Sequence, residues 1–231
     1  MAGMPLEACH EAVRARTSVR EVETRATLSG AEERDECAAR LAEVAQGPHT
    51  EVISDTRFAV ALEGFDGMAR VRERRQGDVV RYEWAVKEFQ PRDGLRVAKA
   101  HIEHEGEADS YEDALDALYA FLYELRRGHA ALTVARTSTR TRSSYLHNDG
   151  TTIHMDTYTS RDGTDLDPPH ESVEFERVLP VGASPEEVQE AEAQLIATAE
   201  SIGITEDRLS SASGMSSRQT RADTPHATLP V

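Results

Sequence analysis

The 231-residue chain holds only two cysteines, Cys9 and Cys37, and only two lysines, Lys87 and Lys99, in an otherwise arginine-based set of cations. Two thiols so placed make no metal-ligand spacing, and idle thiols fit a reducing compartment better than a disulfide framework does. Aromatics are 5% of residues, and no run approaches the ~20 apolar residues a membrane helix needs. The first twenty residues also lack the apolar core of a secretory signal, so the expected setting is cytoplasmic. A formal charge of -16 argues against nonspecific nucleic-acid binding, which rewards a broad basic surface. A small anion in a local basic pocket stays open. With 39% hydrophobic residues, the length suits one globular domain.

What the chain does have is charge alternation repeated on segment after segment: Glu21-Val22-Glu23-Thr24-Arg25, Arg70-Val71-Arg72, Arg140-Thr141-Arg142 and Glu174-Phe175-Glu176. Strand side chains alternate faces, so each segment gathers its charges on one side. The acids dominate both ends of the chain and the bases lie between them.

Strands are expected over 19–28, 50–62, 68–75, 79–89, 95–107, 130–146, 151–160 and 171–179. Helices are expected over 31–46, stopped by Gly47-Pro48, from the Ser110-Tyr111-Glu112-Asp113 cap to Gly128, and from the Ser184-Pro185-Glu186-Glu187 cap to Ile202. Residues 1–16 read as a flexible or helical lead-in and 17–204 as the domain. The Ser/Thr-rich stretch 205–231 reads as disordered. The natural closure is an α+β fold: an eight-stranded antiparallel β-barrel with helices packed outside.

If Val22, Val71, Val86, Ile102, Met155 and Phe175 face the helices, the opposite parity turns inward. It carries Glu21, Glu23, Arg25, Arg70, Arg72, Arg81, Glu83, Lys87, Glu103, Glu105, Arg140, Arg142, His154, Asp156, Glu174 and Glu176. Burying so many charges is costly unless they pair or bind ions. Carboxylate oxygens suit hard cations such as Mg²⁺, and arginines suit phosphate oxygens. Such a lumen fits phosphoryl chemistry on a polyanion.

Taken in order, the opening Glu-x-Glu-x-Arg, Arg-x-Arg, Lys87, Glu103-x-Glu105, Arg140-x-Arg142 with Tyr145, Asp156 and the closing Glu-x-Glu resemble the CYTH superfamily, the triphosphate tunnel metalloenzymes. The resemblance spans Val19 to about Ile202. It implies an eight-stranded tunnel, dependence on Mg²⁺ or Mn²⁺, and a small-molecule triphosphate substrate. It also implies metal ligation by Glu21, Glu23, Glu174 and Glu176, joined by Glu103, Glu105 and Asp156. Phosphate contacts fall to Arg70, Arg72, Lys87, Arg140 and Arg142, and catalysis to Glu21, Glu23, Arg25 and Lys87. Arg25 departs from the family lysine, which favours binding over catalysis. Arg57, where many members have a nearby tyrosine, is either a further phosphate contact or a surface residue.

The leading function is therefore metal-dependent cleavage of a terminal phosphate. A class IV type adenylyl cyclase is the alternative, although no base-recognition motif is evident. A non-catalytic nucleotide or polyphosphate binder is the second alternative, and a lipocalin-like carrier would need an apolar lumen. His154 reads as a structural strand histidine before a general base, and His101 and His104 as neighbours of a hard-metal site before zinc ligands. Trp84 reads as packing under a helix. An exposed edge or helix face could support a homodimer.

Overall fold

The computed structural model describes residues 17–91, 94–126 and 128–211. The lead-in expected over 1–16, Cys9 within it, and the tail beyond 211 lie outside the described residues.

Eight strands form one closed antiparallel barrel. They are β1 (Thr17–Thr27), β2 (Ala45–Ala61), β3 (Gly67–Gln76), β4 (Val79–Phe89), β5 (Lys99–Ala108), β6 (Ala131–His147), β7 (Thr152–Arg161) and β8 (Thr164–Leu179). Around the ring the order is β1-β5-β4-β3-β2-β6-β7-β8, and β1 pairs with β8 to close it. Three helices, α1 (Ala31–Val44), α2 (Tyr111–Arg126) and α3 (Pro185–Ser201), cover the outside.

The inside-outside split follows the expected parity. Val22, Val173, Phe175, Ile153 and Met155 pack outward with Leu41 of α1 and with Val188 and Leu195 of α3. Val71, Trp84 and Val86 pack with Leu118, Phe121 and Leu122 of α2. Trp84 is fully buried, its ring 5.2 Å from that of Phe121. A Cβ on its strand partner Gly106 would lie 2.7 Å from the indole, so this close approach requires glycine.

Helix starts follow their caps. Ser110 Oγ accepts from the Asp113 amide, and Ser184 and Glu187 form a reciprocal capping box. Several boundaries differ from expectation, β5 for one beginning at Lys99 and not at 95. Helix α1 stops at Val44, and Gly47-Pro48 lies inside β2 at a register shift, where β6 supplies the pairing that the helix would have supplied. Gly47 has φ +131, and a Cβ there would sit 2.8 Å from the Ser144 carbonyl oxygen. Strand β8 begins at Thr164, not Glu171, because Asp162 and Gly163, both with positive φ, make a tight hairpin turn.

The segment 205–211, expected to be disordered, is a correction. It carries a 3₁₀ turn at Glu206–Arg208, buries Leu209, and pairs Ser210 with Arg25 through two backbone hydrogen bonds of 3.1 and 2.8 Å. Arg208 also bonds Glu33. Tertiary contacts hold this segment where local periodicity gives no signal.

Candidate active site

The strand order sorts the inward charges into two walls. Neighbours β3, β2 and β6 carry Arg70, Arg72, Arg74, Arg57, Arg140 and Arg142, whereas neighbours β5, β1 and β8 carry Glu103, Glu105, Glu107, Glu21, Glu23, Glu174 and Glu176. The walls face each other across a cavity of about 630 Å³. Basic side chains slightly outnumber acidic ones along its lining, in a chain whose formal charge is -16. The lumen thus gathers a local basic surface within an acidic protein.

Two buried acids brace the basic wall. Asp55 accepts from Arg72 Nε at 2.8 Å and from Arg140 Nη1, with Arg57 Nη2 3.9 Å away. Asp156 takes a two-pronged contact from Arg142, at 2.7 Å on each oxygen, and lies 3.3 Å from Arg140 Nε. Burial opposes the charge of both acids, but Arg140 and Arg72 hold Asp55, and Arg142 and Arg140 hold Asp156, well below the usual carboxylate range. The Tyr158 ring lies 5.4 Å from the Arg140 guanidinium carbon. Held in this way, the arginines are fixed before a ligand arrives.

On the acidic wall, Lys87 Nζ sits among three carboxylates, 3.1 Å from Glu21 Oε1, 3.2 Å from Glu23 Oε2 and 3.1 Å from Glu103 Oε2. Burial opposes its charge, but Glu103, Glu21 and Glu23 keep the ammonium charged. The three acids respond differently. Burial, reinforced by Glu176 and Glu103, pushes the Glu21 carboxyl well above its ordinary range. Glu23 and Glu103 are buried too, but Lys87 with Lys99, and Lys87 with Arg70, pull them well below theirs. Glu174, buried and drawn down by Arg25, falls to about 2.

The fourteen residues expected at the site do not all stand alike. Glu21, Glu23, Arg25, Arg57, Arg70, Arg72, Lys87, Glu103, Glu105, Arg140, Arg142, Glu174 and Glu176 line the cavity. Asp156 lies beneath it with its side chain fully buried, so it braces arginines and is not an open ligand. Glu105 is exposed at the rim near Thr17. Arg25 is committed to Glu174 at 2.5 Å. Arg57 belongs to the lumen and not the outer surface, and burial lowers the pKa of its guanidinium. Arg81, placed inward by parity, is exposed and does not line the cavity.

Asp55 and Tyr158 were given no role by the sequence reading, and Lys99 and His101 were named there without one in the lumen. Lys99 Nζ meets Glu23 Oε1 at 2.7 Å. The signal was the parity of Lys99, His101, Glu103 and Glu105 on one strand, which counts for more than the scarcity of lysine. His104 faces outward, bonding Glu88 and stacking 4.9 Å from Phe121.

The acidic wall suits a divalent cation. Glu21, His101 and Glu103 each offer one ligand atom, all within 4.8 Å of one another. The crowding that raises the pKa of Glu21 is a condition that a bound cation relieves.

Neither a family model nor a curated protein sequence matches the chain. Solved structures do match. A protein of Pyrococcus horikoshii superposes with a TM-score of 0.57 at 19% identity, covering 84% of this chain and 94% of its own. A candidate adenylyl cyclase of Hippeastrum, described as having a dominant triphosphatase activity, gives 0.50 at 17% identity over 80% and 88%. A candidate adenylate cyclase of Vibrio parahaemolyticus gives 0.50 at 14% identity over 84% and 94%. The chain therefore has the closed eight-stranded fold of these proteins.

Proposed function

We propose that this chain binds a triphosphate-bearing small molecule in its barrel and, with a divalent cation such as Mg²⁺ or Mn²⁺, hydrolyses its terminal phosphoanhydride. The observation that carries this reading is the opposition of a braced arginine wall and a carboxylate wall across one cavity of about 630 Å³.

Arg70, Arg72, Arg140 and Arg142 would hold the phosphate oxygens, with Arg57 as a further contact, and planar guanidiniums favour paired contacts to such oxygens. A cation held by Glu21, Glu103, Glu23 and Glu176 would supply charge neutralisation and acidify a bound water. The attacking water, acidified by that cation, would give up its proton to solvent as it bonds. The water oxygen bonds to the terminal phosphorus, the bridging P–O bond breaks, and its electron pair leaves with the diphosphate product. Lys87 keeps Glu21, Glu23 and Glu103 together without consuming any of them.

A second reading, binding without turnover, is favoured by Arg25. A lysine there could orient a water, but this arginine is tied to Glu174 at 2.5 Å and its backbone to Ser210.

Product analysis separates the readings. Wild type and Glu21→Gln/Glu23→Gln are compared on inorganic triphosphate and ATP at alkaline pH with Mg²⁺ or Mn²⁺. Metal-dependent phosphate release that drops roughly 10²–10⁴-fold in the double variant supports the triphosphatase. Cyclic AMP and diphosphate would make it a cyclase. Thermal stabilisation by triphosphate with no product would make it a binder.

A further inference from the structure

We propose that His101 is a metal ligand of this chain and that, with Glu21 and Glu103, it makes the acidic wall a site for a divalent first-row transition-metal ion in preference to Mg²⁺. The inference uses the proposed function only in supposing that a cation serves this wall.

The imidazole is fully buried, and neither ring nitrogen makes a hydrogen bond of good geometry among the described residues. Buried polar groups almost always find partners, so an imidazole whose polar contacts are two carboxylates beside Nε2 is an arrangement that a bound ion would complete. It is aimed into the cluster. His101 is the register partner of Glu21 across β1 and β5, and its Nε2 lies 3.3 Å from Glu21 Oε2 and 3.8 Å from Glu103 Oε2. His154, a histidine that does line the cavity, differs, because its Nδ1 is already partnered with Ser144 Oγ at 2.9 Å.

The donor set decides which metal. Mg²⁺ prefers an all-oxygen octahedron and keeps several waters, whereas imidazole nitrogen is a good donor to the later first-row ions. One nitrogen and two carboxylates therefore bias the site away from Mg²⁺. Lys87 shares the same oxygens of Glu21 and Glu103, at 3.1–3.2 Å. These contacts are long for charge-assisted bonds, as expected of an ammonium spread over three carboxylates, and each oxygen retains acceptor capacity. Lys87 should thus weaken metal binding without preventing it.

The test reads binding with no substrate present. Metal-stripped protein is titrated with Co²⁺ and followed by its visible absorption, then challenged with about a hundredfold excess of Mg²⁺. Bands that saturate and survive Mg²⁺, weaken about tenfold or more in His101→Gln, hold in His154→Gln and strengthen in Lys87→Met support the site. No bands, bands abolished by Mg²⁺, or bands unchanged in His101→Gln overturn it. Should His101→Gln fail to fold, pulsed electron paramagnetic resonance of Mn²⁺-loaded His154→Gln decides. A nitrogen coupling supports the ligand, and its absence overturns it. Triphosphatase activity could fail while the site stands, or the site fail while activity stands, because the two readouts are separate.

Discussion

Glu23 and Lys99 are direct partners across the β1–β5 pairing, and their side chains meet at 2.7 Å on the floor of the acidic wall. Lys87, by contrast, is almost wholly buried and shared among three acids, while the Lys99 side chain keeps 29% of its surface exposed. Of the two ammonium groups, only Lys99 has both solvent access and a single partner, so it is the one free to turn toward an arriving anion.

Lys99→Met should therefore act on binding more than on chemistry. Losing one charge-assisted contact predicts a KM for inorganic triphosphate raised about tenfold, with a smaller fall in kcat. Steady-state kinetics with Lys99→Arg as the rescuing variant checks this. An unchanged KM would reduce Lys99 to a counter-ion of Glu23.

Asp55 should control stability at low pH. Asp55, Asp156 and Glu174 all have folded-state pKa values depressed below those of the unfolded chain, by opposing arginines that outweigh burial. Their contribution is thus complete above the unfolded carboxyl value of about 4 and is lost as pH falls from there through each group's depressed folded-state value. The melting temperature should drop steeply over that window. Asp55→Asn should cost roughly 3–5 kcal/mol at neutral pH, because Arg72 and Arg140 lose a shared buried partner, and should flatten the acid limb. A variant with wild-type acid sensitivity would show that Asp55 does not set it.

Glu192 on α3 should prove a positioning residue. Its Oε1 accepts from the backbone amides of Arg96, Val97 and Ala98, each at 2.8 Å, and Thr24 Oγ1 donates to the Val97 carbonyl at 2.9 Å. This clamp fixes the chain immediately before Lys99 and His101. Glu192→Ala should lose about 2–4 kcal/mol and release those three amides to fast hydrogen exchange. Slow exchange retained at all three would place the restraint elsewhere.

Most of the site was legible because strand alternation leaves little freedom. Once Val22 and Phe175 were assigned to the helical side, Glu21, Glu23, Glu174 and Glu176 had to face the other way. The parts that were not legible depend on contacts between distant segments. Asp55, between Ser54 and Thr56, carries no alternation signal of its own, and only the β2–β3 and β2–β6 pairings bring Arg72 and Arg140 onto it. Gly47-Pro48 read as a helix stop because turn chemistry and a strand irregularity use the same residues. Leu209 gave no periodic signal, and its burial comes from a segment held by Arg208 to Glu33 and by Ser210 to Arg25.

The closure of β1 on β8 also sets the order in which the protein can become competent. Arg25 and Glu174, the pair that seals that seam, are 149 residues apart in sequence. During synthesis the arginine-bearing strands can pair while β8 is still unmade, so Arg25 of β1 must wait in water for Glu174. Closure is thus a property of the whole barrel, and a ribosome that stops before β8 leaves an open sheet in which Arg25 has no Glu174 and the acidic wall lacks Glu174 and Glu176.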